Sequence, residues 1–308
     1  MPTRASLGID NYSLRGRAWT AERLLSYASD LGLHWLFLSN LNVFSDRSDH
    51  ALGEFGRQAA DQGIRLHVGT LSVCPSSILF DPARGTALEQ MRETIRVAKA
   101  VGSPIARCVL GRVDDRFSDG GIEAKIQDLL DVIRTARSSA EDAGVRIAVE
   151  NHSGDLSSLE LRRLIEAAGP DLVGAVYDSG NAFWAMEDPF EAMENLAPYI
   201  VSTGIRDGVV WRTELGATLQ WTAVGEGVLN WTRFRERFEE LCPGVPMMIE
   251  TISGRPNPLP YRPEVFPAAF RRLLDSKPPL TPGPHADADY QQQELERSLS
   301  FLRAASPL

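Results

Sequence analysis

Apolar residues along the chain fall into short runs separated by longer stretches with three- and four-residue spacing. The runs are Ser6–Tyr12, His34–Ser39, Ile64–Gly69, Pro104–Val109, Arg146–Glu150, Leu172–Tyr177, Tyr199–Ile205 and Val245–Glu250. Each has the length expected of a buried strand. Between them, stretches such as Leu88–Ala100 and Ile122–Ala143 put their apolar residues on one helical face. Helix starts are also marked. Asp188-Pro189-Phe190-Glu191 offers an N-cap, a proline at the first helical position and an acid in the first turn, and Ser157-Ser158-Leu159-Glu160 reads as a capping box. Gly63, Gly102 and Gly144 stand where a left-handed C-cap is wanted. Eight strand-then-helix units within residues 1–275 predict an α/β fold, a (β/α)8 TIM barrel. A doubly wound sheet would carry a glycine-rich turn after its first strand, and Asn11-Tyr12-Ser13-Leu14-Arg15 has none.

The segment 276–286, including the proline-rich Lys277–His285, is expected to be a linker. Residues 287–308 are expected to add a C-terminal amphipathic helix, with Leu295, Leu299 and Leu302 on one face. That face could pack back on the barrel or onto a second subunit, so a homo-oligomer is compatible with it. The balance of 32 Lys and Arg against 41 Asp and Glu, a net charge of −9, argues against a nucleic-acid partner. No secretory signal and no apolar stretch of membrane-spanning length is expected, and three cysteines are too few for a disulfide framework. A cytoplasmic protein without a membrane partner follows.

In a barrel, residues at the C-terminal ends of the strands face one mouth. The fifth run ends in Glu150-Asn151-His152, the sixth in Asp178-Ser179-Gly180-Asn181, the seventh in Gly204-Ile205-Arg206-Asp207 and the eighth in Glu250-Thr251. Glu150, Asp178 and Glu250 would therefore converge. Crowded carboxylates repel unless a cation, a proton or a basic side chain offsets them. One outcome is that each acid caps the following helix or pairs with an arginine. The other, favoured by three converging oxygen ligands, is a divalent metal: Mn2+ or Mg2+, with Co2+ compatible.

These stretches, in this order and together with Asp188-Pro189 and Gly225-Glu226-Gly227, resemble the sugar phosphate isomerase/epimerase superfamily of xylose-isomerase-like TIM barrels. The resemblance implies a divalent metal held by Glu, Asp, His and Glu from strands five to eight. Glu150, Asp178 and Glu250 match three of these positions. The fourth is Gly204, where the superfamily commonly reads His-x-Lys-Asp and this chain reads Gly-Ile-Arg-Asp. The resemblance also implies that Glu150 and Glu250 are the catalytic acid/base pair, and that the substrate is a small sugar or sugar acid. Isomerisation or epimerisation through an enediolate is then the default. Lyase chemistry (decarboxylation or dehydration of a keto sugar acid) is the alternative, and a non-catalytic sugar-binding barrel is more remote. A related barrel family cleaves DNA at abasic sites, but that chemistry needs a histidine-rich site and this chain has five scattered histidines.

The remaining candidate substrate contacts are Arg107, His152, Asn181, Arg206, His67 and Asp207. Arg107 is a charge inside an apolar strand, and Arg206 offers a planar fork suited to a carboxylate. Together they suggest an acidic sugar. His152 could replace the missing imidazole or contact substrate, and His67 could be a core histidine or a hydroxyl contact. Asp10 and Tyr12 could also line the mouth. Trp184, Trp211 and Trp221 are expected in loops after strands six and seven. The pattern G-x-x-x-x-G-K-[ST] is absent, so no nucleotide cofactor is expected.

Overall fold

A computed structural model describes residues 5–214, 216–252, 256–261, 267–274 and 287–304. The linker expected at 276–286 lies outside them. Seven parallel strands come first: β1 (Leu7–Asp10), β2 (Trp35–Leu38), β3 (Arg65–Ser72), β4 (Ile105–Val109), β5 (Arg146–Glu150), β6 (Val173–Asp178) and β7 (Ile200–Gly204). A hairpin of β8 (Asp207–Thr213) and β9 (Gly216–Thr222) follows, then β10 (Met247–Ile249) and the short β11 (Asn257–Leu259). Strand β10 is the eighth predicted run. The hydrogen-bonded order is β10-β1-β2-β3-β4-β5-β6-β7. Closure between β7 and β10 uses Ile205 N–H donating to Met248 O at 2.7 Å and Glu250 N–H donating to Ile205 O at 3.1 Å. Thr203 Oγ1 reinforces the seam, donating to Pro246 O at 2.8 Å and accepting from Met248 N–H at 2.9 Å. The protein is a TIM barrel.

Helices α1 (Ala21–Asp30), α2 (Asp49–Asp61), α3 (Ala87–Val101), α4 (Gly121–Ala143), α5 (Ser158–Ala168), α6 (Asn181–Trp184), α7 (Pro189–Leu196) and α8 (Trp231–Leu241) alternate with the barrel strands. The expected capping box at Ser157 and Glu160 is formed, and Asp188 accepts from Phe190 N–H with Pro189 opening α7. Gly102 and Gly144 cap α3 and α4 in the left-handed region. No described helix is long and apolar enough to cross a membrane.

The chain departs from the predicted pattern after β7. Trp211 and Trp221 are not in loops: they lie in β8 and β9, which pair from Asp207↔Thr222 to Thr213↔Gly216. Strand β11 pairs antiparallel with β9 and extends this hairpin into a three-stranded sheet beside the barrel mouth. Strand β9 alternates apolar and polar residues over Ala217–Thr222, and β8 sets Val209, Val210 and Trp211 between polar ends, a weaker signal than the continuous apolar runs of buried parallel strands.

A short helix α9 (Ala268–Arg271) precedes the C-terminal helix α10 (Ala288–Ala304), which packs back on its own barrel. Leu295, Leu299 and Leu302 are buried, as their spacing required. Polar contacts fix the orientation: Gln291 Oε1 accepts from Gly16 N–H at 2.8 Å, Glu296 accepts from the Tyr27 hydroxyl at 2.7 Å, and Ser298 Oγ accepts from Val224 N–H at 2.9 Å. The helix thereby holds both the 3-10 turn after β1 and the loop after β9. Leu299→Ala should destabilise the protein by about 2–5 kcal/mol, read as a lower midpoint in urea unfolding.

Candidate active site

Strand alternation builds the site in two layers. The lower layer packs Trp35, Phe37, Ile105, Ala148, Val176 and Met248 in the barrel interior. A Cβ at Gly8 would stand 2.5 Å from Trp35 Cβ and 2.6 Å from Met248 Sδ, so this layer has no room for a side chain there. His67 belongs to the layer, with its ring centroid 4.7 Å from that of Trp35 and its Nδ1 2.8 Å from Ser202 Oγ. Two residues further along the strands, the same parity brings up Asp10, Arg107, Glu150, Asp178, Gly204 and Glu250. Five of these are charged, and all five are buried.

Glu150, Asp178 and Glu250 each bring a carboxylate oxygen within 4.8 Å of the others, so the buried triad could bind a metal ion. Two arginines also enter the triad. Arg107 Nε donates to Glu150 Oε2 at 2.6 Å. Arg206 Nη2 stands 2.7 Å from Asp178 Oδ2, 3.0 Å from Glu250 Oε2 and 4.0 Å from Glu150 Oε1. Two glycines make room for it. A Cβ at Gly180 would sit 2.8 Å from both Cβ and Cδ of Arg206, and a Cβ at Gly204 would run into Asp178 Oδ2. The guanidinium also lies 5.2 Å from the centre of the Trp221 ring on β9.

Neighbouring polar groups fix the acids. Asn181 Nδ2 donates to Glu150 Oε1 at 3.1 Å, and its backbone N–H donates to Asp178 Oδ1 at 2.7 Å. Asn151 binds the Asp178 backbone in both directions, accepting from its N–H and donating to its C=O. Asp10 accepts from Ser39 Oγ at 2.6 Å. Electrostatic balance is still incomplete. Burial pushes the Asp178 carboxyl well above the usual range, opposed by Arg206 and reinforced by Glu250 and Glu150. Burial and then Glu250 push Asp10 up to about 7. Asp178 Oδ2 is buried with no directed hydrogen bond, and so is Arg206 Nε.

Above the triad lies a cavity of about 330 Å³ lined by Tyr12, Arg107, Arg112, His152, Arg206 and Glu250, among others. Of the expected contacts, Arg107, His152 and Arg206 reach this cavity. Asn181 stands behind Glu150. His67 lies beneath the site, and Asp207 faces away from it. The Asp207 carboxylate accepts from the N–H groups of Gly208, Gly225, Gly227 and Leu229 and from Trp231 Nε1, which ties the start of β8 to the loop after β9. His152 Nδ1 lies 2.7 Å from Gly111 O and so carries its proton there; burial and then Arg107 lower the ring to about 4. Arg112 was not anticipated, although its place just past the fourth strand was a signal. Asn151 was visible only as a motif letter.

These features agree with the comparisons to known proteins. The xylose isomerase-like TIM barrel family matches residues 25–273. The chain belongs to this family. Among curated relatives, the uncharacterized protein YihM of Escherichia coli is 24% identical over 66% of this chain, and 3-oxo-isoapionate decarboxylase of Pectobacterium atrosepticum is 22% identical over 58% of it. Each match spans 58% of the relative's own length. Among solved structures, D-psicose 3-epimerase with D-tagatose from Clostridium cellulolyticum H10 aligns at a TM-score of 0.64 and 14% identity, covering 97% of this chain and 98% of the other. The IOLI protein with a bound zinc atom aligns at 0.66 and 15%, covering 96% and 97%. The chain thus shares its fold with D-psicose 3-epimerase and sequence similarity with 3-oxo-isoapionate decarboxylase.

One titration follows from the lower layer. Burial lowers His67 to about 3, so between pH 6.5 and 3 the unfolded chain binds a proton that the folded chain does not. The contribution is fully present above pH 6.5 and is lost on acidification through that window. His67→Gln should flatten the acid limb of the urea-unfolding profile by about tenfold in the unfolding constant per pH unit between pH 6 and 4.

Proposed function

We propose that this barrel is a lyase acting on a keto sugar acid through an enediolate, with Glu250 as the proton-carrying group. The lining of the cavity carries the reading: among the described residues three guanidiniums, Arg107, Arg112 and Arg206, face it beside one carboxylate, Glu250, while pairing with Glu150, Asp114 and Asp178 at its edge. Such a wall suits an anionic substrate, since a guanidinium fork matches a carboxylate. Tyr12 and His152 add polar contacts for hydroxyl groups.

The acids also fit a divalent cation: the donors are all oxygen, and Asp178 Oδ2 lacks a directed hydrogen bond. Glu150, Asp178 and Glu250 would hold Mn2+, Mg2+ or Co2+, and a cation bound there would draw electron density from a substrate carbonyl and stabilise an enediolate. The zinc of the similar IOLI protein supports a cation-binding role.

Lyase chemistry is favoured over epimerisation by the state of Glu150. An epimerase needs two proton carriers on opposite faces of the substrate. Glu150 is held by Arg107 and Asn181 below the cavity, and Glu250 is the carboxylate that lines it among the described residues. In a decarboxylation one carrier suffices: the electrons of the breaking carbon–carbon bond enter the enediolate as carbon dioxide leaves, and Glu250 relays to that carbon a proton taken up from water. The likeness to the Pectobacterium decarboxylase supports this direction. Epimerisation remains the second reading, supported by the D-psicose 3-epimerase likeness. Three buried free cysteines, Cys74, Cys108 and Cys242, are consistent with a reducing cytoplasmic setting.

The test is a panel of 3-oxo sugar acids and neutral ketoses incubated with the purified chain, following carbon dioxide, water loss and epimer formation. Acids should turn over and neutral ketoses should not; faster turnover of neutral ketoses overturns the reading. Glu250→Gln should lower kcat by about 10²–10⁴-fold. Arg112→Met, which removes a contact at the rim and its exposed pair with Asp114, should raise KM with kcat little changed.

A further inference from the structure

We propose that the Arg206 guanidinium and a divalent cation are alternative occupants of one position, so that binding the cation drives Arg206 out into the substrate cavity. The inference rests on the metal-assisted reading above and assigns Arg206 a role within it. Nη2 of Arg206 already lies within ion-pair reach of all three carboxylates. It occupies the space between them that a shared ion would take. Two positive groups cannot both sit there, because the low-dielectric interior magnifies their repulsion.

Three further observations fit an exchange better than a fixed ion pair. First, the side chain is held mainly by charge. Its Nε is buried without a hydrogen-bond partner, and Nη2 makes one directed hydrogen bond, to Glu250 Oε2 at 3.0 Å. Second, it has somewhere to go, since Arg206 already lines the cavity of about 330 Å³. Third, the charges favour it. Arg107 and Arg206 leave one of the three carboxylates uncompensated, whereas Arg107 and a dication neutralise all three.

The displaced guanidinium would join Arg107 and Arg112 in the cavity, where it can pair with the carboxylate of an acidic substrate. Cation and acidic substrate then assist each other's binding, because each stabilises the outward Arg206. A neutral sugar offers no such partner.

The test is Mn2+ binding to the metal-stripped full-length chain, by titration calorimetry and by the electron paramagnetic resonance signal of free Mn2+, for wild type, Arg206→Gln and Arg206→Lys. Arg206→Gln should bind Mn2+ about tenfold tighter or more than wild type, within the usual range of coupling between sites. Mn2+ should also raise its melting temperature more than that of wild type, since the variant lacks the internal cation. Arg206→Lys should fall between the two, and it carries the test if Arg206→Gln does not fold. Equal or weaker Mn2+ binding by the variants overturns the exchange while leaving the metal-assisted reading in place. No Mn2+ binding by any of the three proteins overturns both.

Discussion

Three carboxylates share one barrel mouth, and their mutual repulsion in a buried setting is the constraint around which the site is organised. Glu150, Asp178 and Glu250 are each nearly inaccessible to solvent, and Asp10 stands in the same layer. Burial removes the water that would screen them, so the fold must provide positive charge and directed donors instead. Arg107 offsets Glu150, Arg206 reaches between Asp178 and Glu250, and Asn151 and Asn181 fix the strand ends that carry the acids. The offset is incomplete, since two guanidiniums face three carboxylates, and burial holds the Asp178 carboxyl well above its usual range. A site left short of positive charge is suited to take up a cation, a proton or both.

The barrel itself was legible because parallel strands covered on both faces read as unbroken apolar runs. All eight predicted runs correspond to strands, and their C-terminal ends bring Glu150, Asp178 and Glu250 together as expected. The hairpin of β8 and β9 was not legible, since its strands mix polar and apolar residues and the first follows almost directly on a barrel strand. The direction of Asp207 could not be read either. It follows Arg206, whose parity points inward, and its carboxylate turns instead to four backbone N–H groups and the Trp231 ring nitrogen. Adjacent strand residues face opposite ways, so a motif that names both says nothing about which one enters the site.

The position of the C-terminal helix has the same character. Its apolar face was evident from Leu295, Leu299 and Leu302, but nothing in that spacing names the surface it covers. The polar contacts decide it. Gln291, Glu296 and Ser298 engage Gly16, Tyr27 and Val224, so a single helix braces the turn after the first strand and the loop that Asp207 gathers. Both lie near the mouth, and the rigidity of the site thus draws on residues at the far end of the chain.

Gly204, which ends β7, and Arg206, two residues beyond it, together decide what can stand among the carboxylates. A side chain at 204 meets Asp178 Oδ2 as it now lies and comes within 3.2 Å of Glu250 Oε2, so a histidine there would need the acid and the neighbouring guanidinium rearranged first. Restoring a shorter base at 206 while 204 stays glycine would leave a gap among the carboxylates with no ligand to fill it. Each single change therefore leaves the carboxylates poorly compensated, so what position 204 can hold depends on what stands at 206.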